Sequence, residues 1–159
     1  MRDRNKGFTL IELLVTVTVL AVLVSVAVPS FSTLIRNNRM DADTNEFYRA
    51  LNYARLEAIN RGVNVRVTPT VAGAAWNTAL YVQVGAAAIT ATNLPLRVTA
   101  PLSTNATLTP SATVTFIEFN NLGGLATPTT SLTLAYANGT ATRNIGLCVN
   151  GRVILNGTC

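Results

Sequence analysis

A single glutamate inside a long apolar run constrains this chain more than any other feature. The run covers residues 8–31, and Glu12 is its only charge. Residues 13–28 are uncharged, and residues 8–12 bring the stretch to about twenty, the length a membrane-spanning helix needs. Ahead of it, Arg2, Arg4 and Lys6 stand against Asp3. Basic flanks stay cytoplasmic, so the expected orientation is N-terminus in and the rest of the chain outside. A carboxylate in hydrocarbon costs on the order of several kcal/mol unless it is paired or lies near the interface.

Three readings of this segment compete. A secretory signal peptide would combine the basic start and apolar core with a small-residue cleavage site at Ser25-Val26-Ala27. A permanent anchor would keep the whole segment. Neither gives Glu12 a purpose beyond snorkelling to the headgroups. The third reading does. Gly7-Phe8-Thr9-Leu10-Ile11-Glu12-Leu13-Leu14, with basic residues just before it, resembles the leader of type IV pilins and type II secretion pseudopilins. The resemblance implies that prepilin peptidase cuts between Gly7 and Phe8 and methylates the new Phe8 amine. It leaves a mature chain of 159 − 7 = 152 residues. It also implies that Glu12 pairs with the terminal ammonium of a neighbouring subunit during assembly, each charge neutralising the other in low dielectric. Pro29 matches a proline frequent in the family at this depth, where the helix bends or melts.

The helical signal continues past the membrane. Met40, Thr44, Phe47, Leu51, Ala54 and Ala58 recur at steps of four and three, which places them on one helix face, with Arg49, Arg55 and Asn60 off that stripe. Glu57 and Arg61 form an i,i+4 pair, and Gly62 is a natural C-cap. A helix is therefore expected over residues 9–61. From residue 63 the period changes to two, predicting strands at 63–68, 79–84, 94–99, 113–119, 132–137, 142–149 and 152–155. Pro95 demotes the third of these to an edge. Asn138-Gly139 and Asn150-Gly151 punctuate the last three, predicting an antiparallel meander. The Thr/Ala/Gly/Pro-rich stretches between residues 69 and 112 read as loops, as does Gly123-Gly124.

Composition excludes several chemistries. The chain has no histidine, which removes His-based acid–base catalysis and Ser-His-Asp triads. Residues 58–159 hold one acid, Glu118, against Arg61, Arg66, Arg97, Arg143 and Arg152, a formal charge of 5 − 1 = +4. One carboxylate supplies neither a paired-carboxylate site nor a calcium cage. No enzyme activity, cofactor or metal is expected.

Residues 45–62, with Ala54-Arg55-Leu56-Glu57-Ala58 before a basic residue and glycine, resemble the helix end of the FimT/GspH group of minor pilins and pseudopilins. Trp76 ahead of Leu80-Tyr81-Val82, and the late Gly151-Arg152-Val153, fit that group's β-domain, although Trp76, Ala54 and Ala58 also read simply as core. The implied fold is α+β and type IV pilin-like: a long N-terminal transmembrane and amphipathic helix packed on a C-terminal antiparallel β-sheet domain. The implied organisation is a leader at 1–7, a membrane and filament-core half-helix at 8–31, an amphipathic half at 32–62 and a β-rich head at 63–159. The subunit would sit in the inner membrane with its head in the periplasm. It would then join other pilins or pseudopilins in a type IV pilus or type II secretion pseudopilus, at the tip or priming complex.

Two further expectations concern the head. Cys148 and Cys159, eleven apart and outside the cytoplasm, are expected to form a disulfide rather than remain free thiols. Some members of the group bind DNA through a Gly-Arg-x-Arg motif near the C-terminus. Here the motif reads Gly151-Arg152-Val153-Ile154, without the second arginine. Arg143, one strand back, could share a face with Arg152, making the pair a candidate DNA contact against the plainer reading of a solvated basic face.

Overall fold

The computed structural model describes residues 8–157 and 159. Among the described residues, one helix, α1 (Leu10–Arg61), precedes nine short strands. Contacts divide the chain into one unit up to Ile35 and a second spanning Arg36–Cys159. The first unit is helix and little else, and its apolar residues, Leu10 through Ile35, are exposed on every side. A helix that is apolar all round has no solvated face, and this one is long and apolar enough to cross a membrane. Pro29 lies within α1.

In the second unit the expected stripe is the buried one. Met40, Thr44, Phe47, Leu51, Ala54 and Ala58 are all buried, joined by Ala50. Phe47 meets Trp76 edge to face with ring centroids 6.3 Å apart, so Trp76 is core, with its indole N–H donating to the Val114 carbonyl at 3.1 Å. The helix ends as its sequence dictates. Arg61 Nε reaches Glu57 at 2.6 Å, and Gly62 turns the chain at φ +67.

The strands are β1 (Val65–Pro69), β2 (Leu80–Val84), β3 (Arg97–Val98), β4 (Thr107–Pro110), β5 (Ile117–Phe119), β6 (Leu125–Thr127), β7 (Leu132–Asn138), β8 (Ala141–Leu147) and β9 (Val153–Leu155). They form two antiparallel sheets, ordered β3-β2-β1-β5-β6 and β4-β7-β8-β9. The period-two residues Val65, Val67, Leu80, Val82, Leu132, Leu134, Tyr136, Ile145 and Leu147 share one core with the helix stripe.

Several boundaries differ from the sequence expectation. The 94–99 segment shrinks to Arg97–Val98 at a sheet edge, where the missing Pro95 donor does least harm. The 113–119 segment pairs only from Ile117. β4 occupies a stretch read as loop, and β6 a segment where no strand is expected. β4 buries one side chain fully, Leu108, and β6 is three residues long, so neither carries enough alternation to register. The meander is present, with turns displaced from the Asn-Gly pairs. Asn138 still pairs with Ala141, leaving Gly139-Thr140 as the two-residue loop. Positive φ at Gly139 alone fits a II′ turn. At the second turn, Gly151 donates its N–H to the Cys148 carbonyl at 2.8 Å and sits at φ +76. That is a type I turn closed by a glycine bulge.

Candidate functional site

The first candidate is the start of α1. Gly7, and with it the cleavage position, lies outside the described residues; Phe8 is described and highly exposed. The Thr9 amide and hydroxyl both donate to Glu12 Oε2, at 3.0 and 2.9 Å, and the Glu12 amide donates back to Thr9 Oγ1 at 3.3 Å. This is a capping box, which satisfies helix N-terminal donors that otherwise have no partner. Thr9-x-x-Glu12 is its sequence signature, and it supplies a local role for Glu12 that the apolar-run argument missed. An anion at a helix N-terminus is also favoured by the aligned peptide dipoles.

The second candidate is the C-terminal meander. Cys148 and Cys159 are joined in a disulfide with Cα atoms 5.3 Å apart, which ties the chain end to the last residue before the β8–β9 turn.

The two arginines proposed as a DNA contact do not share a face. Arg143 has the strand parity of Ala141, Ile145 and Leu147, whose side chains point into the core, and its guanidinium ends on Asp41 Oδ1 at 2.5 Å. Arg152 immediately precedes Val153, which pairs with Leu147, so it belongs to the opposite parity and is exposed. Its register partner would be Cys148, five residues along β8 from Arg143, roughly 17 Å at strand rise. Period-two counting within one strand could not reveal this, because the bulge at Gly151 resets the parity across the turn.

The glycine before Arg152 has a neighbour of its own. Arg55 on α1 donates from Nε to the Gly123 carbonyl at 2.9 Å, and the same Nε stands 3.1 Å from where a Gly151 side chain would begin. Gly123 (φ +77) and Gly151 (φ +76) face each other backbone to backbone, and a Cβ on Gly151 would collide with the Gly123 carbonyl. Close backbone approach and positive φ both require glycine here. Sequence spacing gives no hint that residues 55, 123 and 151 meet.

Comparison with known proteins agrees with this architecture. A family model described as type II transport protein GspH matches residues 43–152, and one for the prokaryotic N-terminal methylation motif matches residues 2–28. No curated protein matches the chain in sequence. Two crystal forms of the Pseudomonas aeruginosa (strain PAO1) type IV minor pilin FimU share its fold. One is 23% identical over 74% of this chain and 92% of that one, with a TM-score of 0.63. The other is 24% identical over 77% and 90%, with a TM-score of 0.64. With a helix of pilin type packed on antiparallel sheets, a methylation motif at one end and the GspH match over most of the rest, the chain belongs to the GspH family of minor pilins and pseudopilins.

Proposed function

We propose that the chain is a structural filament subunit. Prepilin peptidase cuts it between Gly7 and Phe8 and methylates the Phe8 amine. Residues 8–31 hold it in the inner membrane, with the head in the periplasm, until it is extracted into a type IV pilus or type II secretion pseudopilus. As an H-type minor subunit it works in the tip or priming complex. The observation that supports this most directly is the pairing, in one chain, of the methylation motif over residues 2–28 with the GspH match over 43–152.

The physics of the stem fits the same reading. Its apolar side chains lose water only in a bilayer or against other stems. At assembly Glu12 exchanges its cap on Thr9 for the methylated ammonium of a neighbour, so the carboxylate keeps partners in both states. The test is the intact mass and N-terminal sequence of the protein taken from its own membranes. A 152-residue chain starting at methylated Phe8 is expected, from 159 − 7. A start near Val28, or an uncut Met1, would replace the filament subunit with an exported or anchored β-domain.

A further inference from the structure

Every side-chain carboxylate between Arg36 and Cys159 already has a partner within the chain. Asp41 pairs with Arg143, Glu46 with Arg97, Glu57 with Arg61 and Glu118 with Arg66. Asp43 accepts from Tyr136 and Ser103. Nine arginines against these five acids leave Arg36, Arg39, Arg49, Arg55 and Arg152 without a carboxylate among the described residues.

Arg55, in the last two turns of α1, stands with its Nε 3.1 Å from where a Gly151 side chain would begin, and Arg152 follows that glycine. Exposed apolar residues lie on the same segments. Leu56 and Ile59 lie one turn apart on the helix. Ile59 packs beneath Gly123, where a Cβ would stand 2.6 Å from its Cδ1. Leu122 precedes that glycine, and the Val149 carbonyl accepts the Leu125 amide at 2.8 Å. Leu122 is 84% exposed, Leu56 57%, Val149 49% and Ile59 44%. The two facing glycines bring both turns into backbone contact, and the disulfide at Cys148 ties the second to the chain end. A preordered surface loses little entropy on binding.

We propose that this surface docks another pilin-like subunit of different sequence, one that presents a carboxylate flanked by apolar side chains to Arg152. The proposal rests on the reading of the chain as a filament subunit. A second copy of this chain is a poorer occupant, since each head side-chain carboxylate would have to leave a partner within its own chain. A nucleic acid would use the guanidinium groups but leave the four apolar side chains without a partner, whereas protein interfaces combine an apolar centre with arginine.

The test places a photo-crosslinking residue at Leu122 of the full-length chain in its own cells and identifies the adduct by mass. An adduct with a second methylation-motif subunit, next to an Asp or Glu of that subunit, is expected. Arg152→Glu should lower its yield about ten-fold, and replacing the partner's carboxylate by arginine should restore it. A thermal melt of the Arg152→Glu protein checks that its fold is intact. An adduct with a second copy, with nucleic acid or with lipid, or no adduct, overturns the proposal. The intact mass of the same preparation keeps the two ideas separate. A chain starting at methylated Phe8 preserves the filament reading when docking fails, and a start near Val28 removes both.

Discussion

The hydroxyl of Tyr136, in the middle of β7, donates to Asp43 Oδ2 on α1 at 2.7 Å across 93 residues of sequence. The same carboxylate accepts the Ser103 amide at 3.1 Å and the Ser103 hydroxyl at 3.0 Å. One helix carboxylate therefore holds the four-stranded sheet and the loop before β4. Tyr136 is 1% exposed, and burial, then its bond to Asp43, push its phenol up from the usual 10 to about 12. A pKa raised on folding favours the protonated form, so this contribution is complete below pH 10 and is lost as pH climbs towards 12.

Tyr136→Phe should therefore destabilise the detergent-solubilised protein by about 2 kcal/mol at neutral pH. The difference between the two proteins should shrink through the window from pH 10 to 12. Denaturant unfolding at neutral and alkaline pH checks this. An equal cost at both ends would mean that folding leaves the Tyr136 phenol at its ordinary pKa, so that neither burial nor the Asp43 bond holds its proton.

The Gly123–Gly151 contact predicts a graded response to alanine. Gly73 and Gly85 also have positive φ, with open space where a Cβ would go, so alanine there meets backbone strain alone, roughly 1–2 kcal/mol. Gly151→Ala adds a collision with the Gly123 carbonyl and Arg55, and should cost clearly more than either control. Melting temperatures of the three variants order the effects. Equal losses would show that the turn opens without resistance.

The parts of this molecule that were legible in its sequence are those written in periodicity. The 40–58 stripe and the Val65–Val67 alternation each express one face of one element, the apolar run expresses a whole helical segment, and each is placed as its spacing requires. What could not be read arises where distant segments meet. The Arg55–Gly123–Gly151 contact joins three segments with no common period. Arg143 carried no sign that Asp41 would take up its charge, and the Gly151 bulge reversed the parity that was to bring it beside Arg152. β4 and β6 gain their hydrogen bonds from partner strands rather than from their own patterns. The Thr9–Glu12 cap is the opposite case: a local signature present in the string and masked by the larger question of why a carboxylate sits in an apolar run.

The Cys148–Cys159 bond closes a loop of about a dozen residues, and its removal should cost about 3 kcal/mol. The loss should be local. Cys159→Ser is expected to speed amide exchange in Val153–Leu155 and in the Val149–Gly151 turn, leaving β1 and β2 unchanged, because the bond reaches only the last hairpin. Hydrogen exchange by mass spectrometry resolves the two regions. Faster exchange throughout both sheets would instead make the bond a global staple.

The two roles of Glu12 separate by comparing it with Thr9. Thr9→Val removes the hydroxyl half of the capping box and should weaken the first turn of α1 by about 1 kcal/mol. Leu13 would still donate to the Thr9 carbonyl, and the carboxylate at position 12 would remain available to a neighbour. Glu12→Ala removes both the cap and the carboxylate, and Glu12→Gln keeps a capping side chain but no charge. If charge neutralisation of a neighbouring ammonium drives assembly, Thr9→Val should still enter sheared filaments, while Glu12→Gln and Glu12→Ala should be absent from them. All three should still be cut after Gly7, so each should show the mass of a chain starting at Phe8. Filament content by immunoblot, alongside that mass, decides the matter. Incorporation of Glu12→Gln at the wild-type level, with loss confined to Thr9→Val and Glu12→Ala, would reduce Glu12 to a helix cap and remove ion pairing from the assembly mechanism.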